Sequence, residues 1–198
     1  MSGWNHMANM DVELAMAMRA SAMGNDDLEA LQALDPPSAD ETLVGRFWHW
    51  IEKNTPPIHT VGSLLTAMHH YRLVLAARDT PNVIPVHYNH LKADLAGEMR
   101  RIAGRLGITV PTETWPALVA AASFDSMRSR ADLLAPDART GIWRAAEGFF
   151  HSGSGGHWRS FFDEAAQQRY DARIASIAEP EIIAWAHFGE SSRYETRS

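Results

Sequence analysis

The sequence contains no cysteine among its 198 residues. This excludes disulfides, thiol nucleophiles and cysteine-ligated metals, and it is typical of an ordinary cytoplasmic protein. The sequence also lacks an excess of basic residues, because 18 lysines and arginines stand against 24 acidic residues. The formal net charge of −6 provides no basic surface of the kind that binds nucleic acid.

Long apolar runs are missing as well. No stretch approaches the roughly 20 residues that span a bilayer, and the opening residues Met1–His6 do not resemble a secretory signal. A hydrophobic fraction of 45%, with seven Trp and seven Phe, is nevertheless sufficient for a core. We therefore expect a single cytoplasmic domain over residues 1–198, with a frayed tail at 191–198.

Most of the chain carries helical patterns. Helix-forming composition, capping residues and apolar spacing predict helices over residues 10–20, 28–34, 42–53, 61–77, 91–106, 112–122, 163–178 and 180–187. Residues 131–161 hold five of the 13 glycines and are expected to be irregular. The first 34 residues are thus expected to be mainly helical, with a break at Gly24.

One segment predicts a strand. Residues Asn82–Tyr88 are short and rich in β-branched side chains, and Thr80-Pro81 precedes them. A single buried strand cannot satisfy its own backbone groups, so two interpretations are open. Either the protein is all-α, or the strand and the helix after it are one unit of a parallel α/β sheet whose other strands lie outside this sequence.

Chemistry-bearing patterns are few. The ten histidines show no His-Glu-x-x-His pattern and no cysteine partner, so we expect no metal site and interpret them as surface or hydrogen-bonded residues. No Walker sequence is present, and Ser154 follows no strand, which argues against a nucleophile elbow. The glycine- and serine-rich loop 149–159 could cradle an anion with its backbone N–H groups, while its aromatic residues could cover a flat ring. An ordinary surface loop is the alternative.

This loop resembles the carboxyl-terminal Arg-Lys-Gly-x-x-Gly-x-Trp-Lys/Arg motif of sulfotransferases that use 3′-phosphoadenosine 5′-phosphosulfate (PAPS). Other segments resemble the same family in the same order, namely residues 2–6, 86–94, 98–108 and 123–128. The resemblance implies an α/β fold: the helix-dominated carboxyl-terminal part of a parallel-sheet, P-loop-like sulfotransferase domain, with one clear strand at about 82–88. It favours the second interpretation of that strand.

The resemblance also implies a set of residues that bind the nucleotide: Ser2, Tyr88, Ser123, Phe124, Met127, Phe150, His151, Ser152 and Gly153. Ser2 corresponds to a serine that helps to hold the 3′-phosphate, and Tyr88 to a tyrosine near the adenine. Phe124 and Met127, within the Ser-Phe-x-x-Met motif that starts at Ser123, correspond to residues that pack on the base.

The Arg-Lys-Gly of the family falls on His151, Ser152 and Gly153, with Phe150 beside it in the same pocket. His151 thereby replaces an always-charged arginine with a group that titrates near neutrality, and Ser152 replaces a second cation. The Lys-x-Gly-Thr-Thr-Trp loop that cradles the phosphosulfate in this family does not occur in the sequence, nor does its usual catalytic histidine. We therefore assign no catalytic residue and expect a truncated chain with impaired activity.

The function that the resemblance implies is transfer of a sulfuryl group from PAPS to a hydroxyl or amine of a small-molecule acceptor. The product nucleotide would be adenosine 3′,5′-bisphosphate (PAP), and no metal would be needed. The alternative is a non-catalytic helical binding protein or a nucleotide-binding remnant. The sequence does not identify the acceptor, and it leaves a homo-oligomer open.

Overall fold

The computed structural model describes residues 42–58, 62–136, 139–145, 149–150 and 162–190, together with Asp11, Leu14, Ala17, Met18 and Ser21. The chain divides into two compact units. The first unit comprises Met1–Gln32 and Val110–Phe161, and the second comprises Ala33–Thr109 and Phe162–Ser198.

Helices dominate the described residues. The second unit contains α1 (Leu43–Glu52), α2 (Leu64–Ala76), α3 (Tyr88–Ala93), α4 (Leu95–Arg105), α8 (Glu164–Ala175) and α9 (Pro180–Phe188). The first unit contains a 3₁₀ turn (Thr112–Thr114) followed by α5 (Trp115–Ala121), α6 (Phe124–Arg128) and α7 (Ala131–Leu134). The predicted helices at 42–53, 61–77, 112–122, 163–178 and 180–187 are confirmed to within a few residues, and α7 is a short helix in the stretch expected to be irregular.

Side-chain caps fix where the first two helices of the second unit begin. Thr42 has extended backbone and its hydroxyl accepts a hydrogen bond from the Gly45 N–H at 3.0 Å. Ser63 does the same for the Thr66 N–H at 3.0 Å, and it is completely buried. Because each cap satisfies an amide that the first turn leaves open, the helices start at these residues.

The core of the second unit forms where α2 packs on α1 and α9, and where α8 packs on α1 and α9. Each residue of this core is apolar and has less than a tenth of its surface exposed. These residues are Phe47, Ile51, Leu64, Met68, Leu75, Ala103, Ile174, Ala178, Ile182 and Trp185. Two ion pairs fasten the start of α9 to α2 and to the turn after it, joining Arg72 of α2 to Glu179 at 2.7 Å and Arg78 of the turn to Glu181 at 3.0 Å.

Arg173 of α8 closes the carboxyl-terminal end of α1. Its guanidinium donates to the carbonyl of Ile51 at 3.1 Å, to that of Lys53 at 3.3 Å and to the Asn54 side chain at 2.8 Å. The last carbonyls of a helix have no partner within the helix, so this one side chain satisfies them and joins two helices.

The predicted strand at 82–88 is not formed within the described residues, which contain no strand. Tyr88 is the first residue of α3, and His87 is its cap. Two backbone carbonyls of the segment accept hydrogen bonds from α4 instead of from a neighbouring strand. Arg105 donates to the Val83 carbonyl at 3.3 Å, and Arg101 donates to the Pro85 carbonyl at 3.0 Å. The parallel sheet of the expected α/β fold therefore stays a prediction.

The prediction of one helix over 91–106 is also wrong, because Asp94 separates α3 from α4. Its backbone leaves the helical region at φ −148° and ψ 82°, and its carboxylate accepts a hydrogen bond from the Gly97 N–H at 2.8 Å. A Cβ on Gly97 would lie 2.1 Å from an Asp94 carboxylate oxygen. The cap therefore requires a residue without a side chain at position 97.

Some expectations concern parts of the chain that the structure does not describe. Most of the predicted amino-terminal helices and the tail at 191–198 lie outside the described residues, although Leu14, Ala17, Met18 and Ser21 are helical. Among the residues described, no helix is long and apolar enough to cross a membrane, and no group of three or more His, Asp or Glu residues could hold a metal ion. The cytoplasmic location stays a prediction.

We expect Ile51→Ala to lower the free energy of unfolding by about 3 kcal/mol, because deleting a buried branched side chain leaves a cavity. Ile51 has no exposed surface in α1, whereas Val44 of the same helix is 42% exposed. Val44→Ala is therefore the matched control and should change stability by less than about 0.5 kcal/mol. Urea unfolding of both variants measures the difference, and equal losses would contradict this assignment of the core.

Candidate functional site

The Ser-Phe-x-x-Met segment of the first unit forms a capped turn of helix. Ser123 has extended backbone, and its hydroxyl accepts from the Ser126 N–H at 3.3 Å while donating to the Ala120 carbonyl at 2.8 Å. Ser123 thereby ends one helix and begins the next, which fixes the direction of α6. Phe124 and Met127 follow at positions one and four of α6, so they lie on the same face of the helix.

Phe124 and Met127 pack against a small core that also contains Phe150. We call this group the aromatic cluster: buried Ala131, Ala135 and Phe150, with partly buried Phe124, Met127, Trp143 and Phe149 around them. The ring centroids of Phe124 and Phe150 are 6.2 Å apart at an interplanar angle of 75°, and those of Phe149 and Phe150 are 5.1 Å apart at 81°. Such edge-to-face contacts orient the rings.

The structure therefore brings Phe150 together with Phe124 and Met127, although 23 or more positions separate it from them in the sequence. Phe150 is only 8% exposed, so its ring supports Phe124 from within the unit. Phe124 and Met127 retain partial exposure, so part of their surface is open to a flat ligand. The cluster is an apolar platform on which a planar ring could lie.

Arg130 fixes the polypeptide around this platform. Its guanidinium donates to the Ala121 carbonyl at 2.8 Å, and its Nε donates to the Ser126 carbonyl at 3.3 Å. It thereby ties the end of α5 to α6. Ser129, which follows α6, returns a further hydrogen bond from its hydroxyl to the Ser126 carbonyl at 2.9 Å.

Tyr88 belongs to the second unit, where it is the first residue of α3. Its side chain is 53% exposed, and the Lys92 ammonium lies 5.9 Å from the centre of its ring. About half of the side chain is thus exposed to solvent, and a cation lies one helical turn away.

The turn that carries Tyr88 is fastened to the carboxyl-terminal end of α9. The Asn89 amide donates to the His187 carbonyl at 3.0 Å. His87 Nδ1 accepts from the Asn89 N–H at 3.1 Å, which leaves the proton on Nε2, facing the Ala186 carbonyl at 3.5 Å. The His87 ring also meets Trp185 edge-on, with centroids 5.1 Å apart.

A cavity of about 200 Å³ lies beside this turn in the second unit. It is lined by Pro85, His87, His90, Glu98, Arg101 and Trp185. Arg101 pairs with Glu98 through two hydrogen bonds, from Nε at 2.9 Å and from Nη2 at 2.8 Å, so its charge is already compensated within the wall.

Burial changes the ionisation of three groups near α9. Desolvation lowers the pKa of His87 and the pKa of His187, in each case below the ordinary value of 6.5. Desolvation raises the pKa of Tyr170 to about 12, and the neutral hydroxyl bonds His187 Nε2 at 2.8 Å. Both imidazoles are therefore favoured in the neutral form, which suits their contacts with carbonyl, ring and hydroxyl groups.

Four of the predicted nucleotide-binding residues, Ser2, His151, Ser152 and Gly153, lie outside the described residues. The sequence motifs missed Asn89, Trp185 and Gly189, which surround the turn that carries Tyr88. Periodicity gives no signal for them, because their contacts join residues 98 or more positions apart. Gly189 alone had a usable signal, since a glycine just after an apolar helix is the usual residue at a helix end.

Comparison with known proteins identifies relatives along most of the chain. The family model described as "Sulfotransferase domain" matches residues 2–181. A glycolipid sulfotransferase of Mycobacterium bovis is 35% identical over 200 residues, and a glycolipid sulfotransferase of Mycobacterium tuberculosis is 35% identical over 199 residues. These alignments cover 90% of this chain and 61% of each relative, so the chain spans about three fifths of their length.

Two solved structures are similar in fold. Retinol dehydratase in complex with androsterone and the inactive cofactor PAP gives a TM-score of 0.56 at 22% identity, over 76% of this chain and 43% of that one. Retinol dehydratase with retinol and PAP gives the same score and identity, over 44% of its chain. The likeness shows that the matched part of this chain shares their fold.

We expect stability to fall as pH decreases from 7.5 to 5.5. His87 and His187 have lowered pKa values in the folded state, so below about pH 6.5 the unfolded chain binds more protons than the folded one. The contribution of these two histidines to the free energy of unfolding is therefore fully present above this pH and is lost as the pH falls. Thermal unfolding across the range should show a smaller loss in His187→Gln, which cannot titrate. An unchanged slope in that variant would remove His187 from this effect.

Proposed function

The chain belongs to the sulfotransferase family, and we propose that it supplies the part of such an enzyme that binds the nucleotide of PAPS. The observation that carries the proposal is the family match over residues 2–181, which includes all nine residues of the expected nucleotide-binding set and parts of both units. We take the two units as parts of one sulfotransferase domain.

In the proposed reaction, a hydroxyl or amine of the acceptor attacks the sulfur of PAPS. A bond from the acceptor to sulfur forms while the bond from sulfur to the 5′-phosphate oxygen breaks, the acceptor loses its proton, and PAP leaves. Such a transfer depends on positioning and on charge around the transferring group. The names of the mycobacterial relatives support a small molecule or glycolipid that carries a hydroxyl group as the acceptor.

The proposed division of roles follows the chemistry of each side chain. Phe124 and Met127 offer an apolar face to the adenine, and the buried ring of Phe150 packs against the Phe124 ring and holds it in place. Tyr88 contributes an exposed ring that contacts the nucleotide. Ser2, His151, Ser152 and the backbone of Gly153 supply hydrogen-bond donors to the 3′-phosphate, as the resemblance implies.

The residues assigned above bind the nucleotide and not the sulfuryl group. The Lys-x-Gly-Thr-Thr-Trp sequence does not occur in these 198 residues, so no residue named above is assigned to the sulfuryl group. We therefore propose nucleotide binding for this chain and expect its transfer rate to be impaired. Binding of PAP without turnover of PAPS would support the alternative of a nucleotide-binding remnant.

We expect PAP to bind the wild-type chain, and Phe124→Leu to weaken that binding about tenfold. Stacking of a base on an aromatic ring contributes about 1–3 kcal/mol, and leucine retains the apolar volume without the flat face. Isothermal titration calorimetry measures both dissociation constants. The matched control is Trp115→Leu, which removes a partly buried aromatic ring of the same unit outside the aromatic cluster and should leave PAP affinity unchanged.

Two results would contradict this proposal. A folded wild-type chain that gives no heat and no thermal shift at millimolar PAP would exclude nucleotide binding, since ligand at 100 times its dissociation constant adds about 2.7 kcal/mol to stability. Equal losses of affinity in Phe124→Leu and Trp115→Leu would place the base elsewhere.

We expect PAP affinity to increase as pH falls from 7.5 to 6.0, because a protonated imidazole at His151 would attract the 3′-phosphate. His151→Ala should weaken binding and remove this increase. Titration calorimetry at the two pH values tests both points. A pH response that survives in His151→Ala would show that another group is responsible.

A further inference from the structure

Tyr88 lies in the first turn of the short helix α3, and hydrogen bonds to neighbouring residues fix the backbone of this turn. Tyr88 follows the cap residue His87 directly, and the cap Nδ1 accepts from the Asn89 N–H at 3.1 Å. The Asn89 side chain then reaches across to the His187 carbonyl at 3.0 Å. The backbone on both sides of Tyr88 is thus fixed by its neighbours.

Gly189, at the carboxyl-terminal end of α9, lies next to the rings of His87 and His90. It follows α9 with a left-handed backbone at φ 80°, and its N–H donates to the Trp185 carbonyl at 2.8 Å. It is buried, and a Cβ built on it would lie 2.6 Å from His90 Nε2 and 2.8 Å from His87 Nδ1. Only a residue without a side chain lets the two imidazoles approach the end of α9 this closely.

The exposure of Tyr88 makes these anchors important. The ring has about half of its surface in solvent, and the backbone that carries it sets the direction of the Cα–Cβ bond and restricts the rotamers that the ring can adopt. Two hydrogen bonds hold that backbone, from the Asn89 N–H to the His87 ring and from the Asn89 side-chain amide to the His187 carbonyl, and Gly189 leaves the space that the rings of His87 and His90 occupy.

We propose that Asn89 and Gly189 are positioning residues for Tyr88, because they fix the turn that presents its ring to the nucleotide. The inference rests on the proposed function, in which Tyr88 contacts PAPS or PAP. Neither residue is assigned a contact with the ligand. Each acts through the Tyr88 turn, by preorganising it so that binding does not have to order it.

The first test measures the ring itself, without nucleotide. The chain contains four tyrosines, so incorporation of 3-fluorotyrosine gives few ¹⁹F resonances, and Tyr88→Phe assigns the one that belongs to residue 88. We expect Asn89→Ala and Gly189→Ala to shift or broaden that resonance. Ser63→Ala, which removes the buried cap of α2 in the same unit, is the control for a general loss of stability and should leave it in place.

The second test measures PAP affinity in a double-mutant cycle. Asn89→Ala should weaken PAP binding about fivefold, as expected for the loss of one hydrogen bond. In a Tyr88→Ala background, the same change should have no further effect, because the residue through which Asn89 acts is gone. Ser63→Ala should leave PAP affinity unchanged. If Gly189→Ala does not fold, Asn89→Ala carries the test alone.

The outcomes separate this inference from the function on which it rests. An unmoved Tyr88 resonance in Asn89→Ala, or an equal loss of affinity with and without Tyr88, would overturn the positioning role. If the Tyr88 resonance moves in Asn89→Ala but the wild-type chain does not bind PAP, the geometry of the turn is supported. The role of the turn in nucleotide binding is then overturned, and the proposed function is contradicted.

Discussion

Backbone carbonyl groups without a partner in their own helix are the constraint on which the described structure depends, and arginine side chains meet it repeatedly. Arg173 satisfies the end of α1, Arg101 and Arg105 satisfy the segment before α3, and Arg130 satisfies the end of α5. A guanidinium carries five donors in a fixed plane, so one side chain can serve several acceptors. Arg173 also joins two helices that are far apart in sequence, since 122 positions separate it from Ile51, so its side chain both satisfies the backbone and contributes to the packing.

Sequence patterns predicted those parts of the fold that depend on local chemistry. The predicted start of α1 at Thr42 and the predicted end of α9 at His187 each lie within one residue of the observed position. The strand at 82–88 could not be judged locally, because β-branched composition does not say whether a second strand or an arginine meets the carbonyls. The break at Asp94 was missed for a related reason: the apolar spacing continues through it, while the carboxylate restarts the helix.

The candidate site also contains residues that local sequence patterns could identify and residues that they could not. The Ser-Phe-x-x-Met motif identified Phe124 and Met127 as candidate binding residues, and the structure adds that they lie on one face of α6 and that Phe150 supports them. The surroundings of Tyr88 could not be predicted, because Asn89 and His187 meet only after α9 has packed on α2. Motifs therefore locate the residues that touch a ligand more readily than those that hold them in place, since the latter depend on contacts between distant segments.

The joint between α3 and α4 has an evolutionary consequence. Asp94 and Gly97 form a coupled pair, because the carboxylate occupies the space that any side chain at position 97 would need. A substitution at Gly97 alone would push the carboxylate off the amide that it caps, while a shorter residue at 94 would first open the space. A change at position 94 that shortens the side chain would therefore make a later change at position 97 less costly. Among homologues, the two positions should covary as a pair although neither is placed in a binding role.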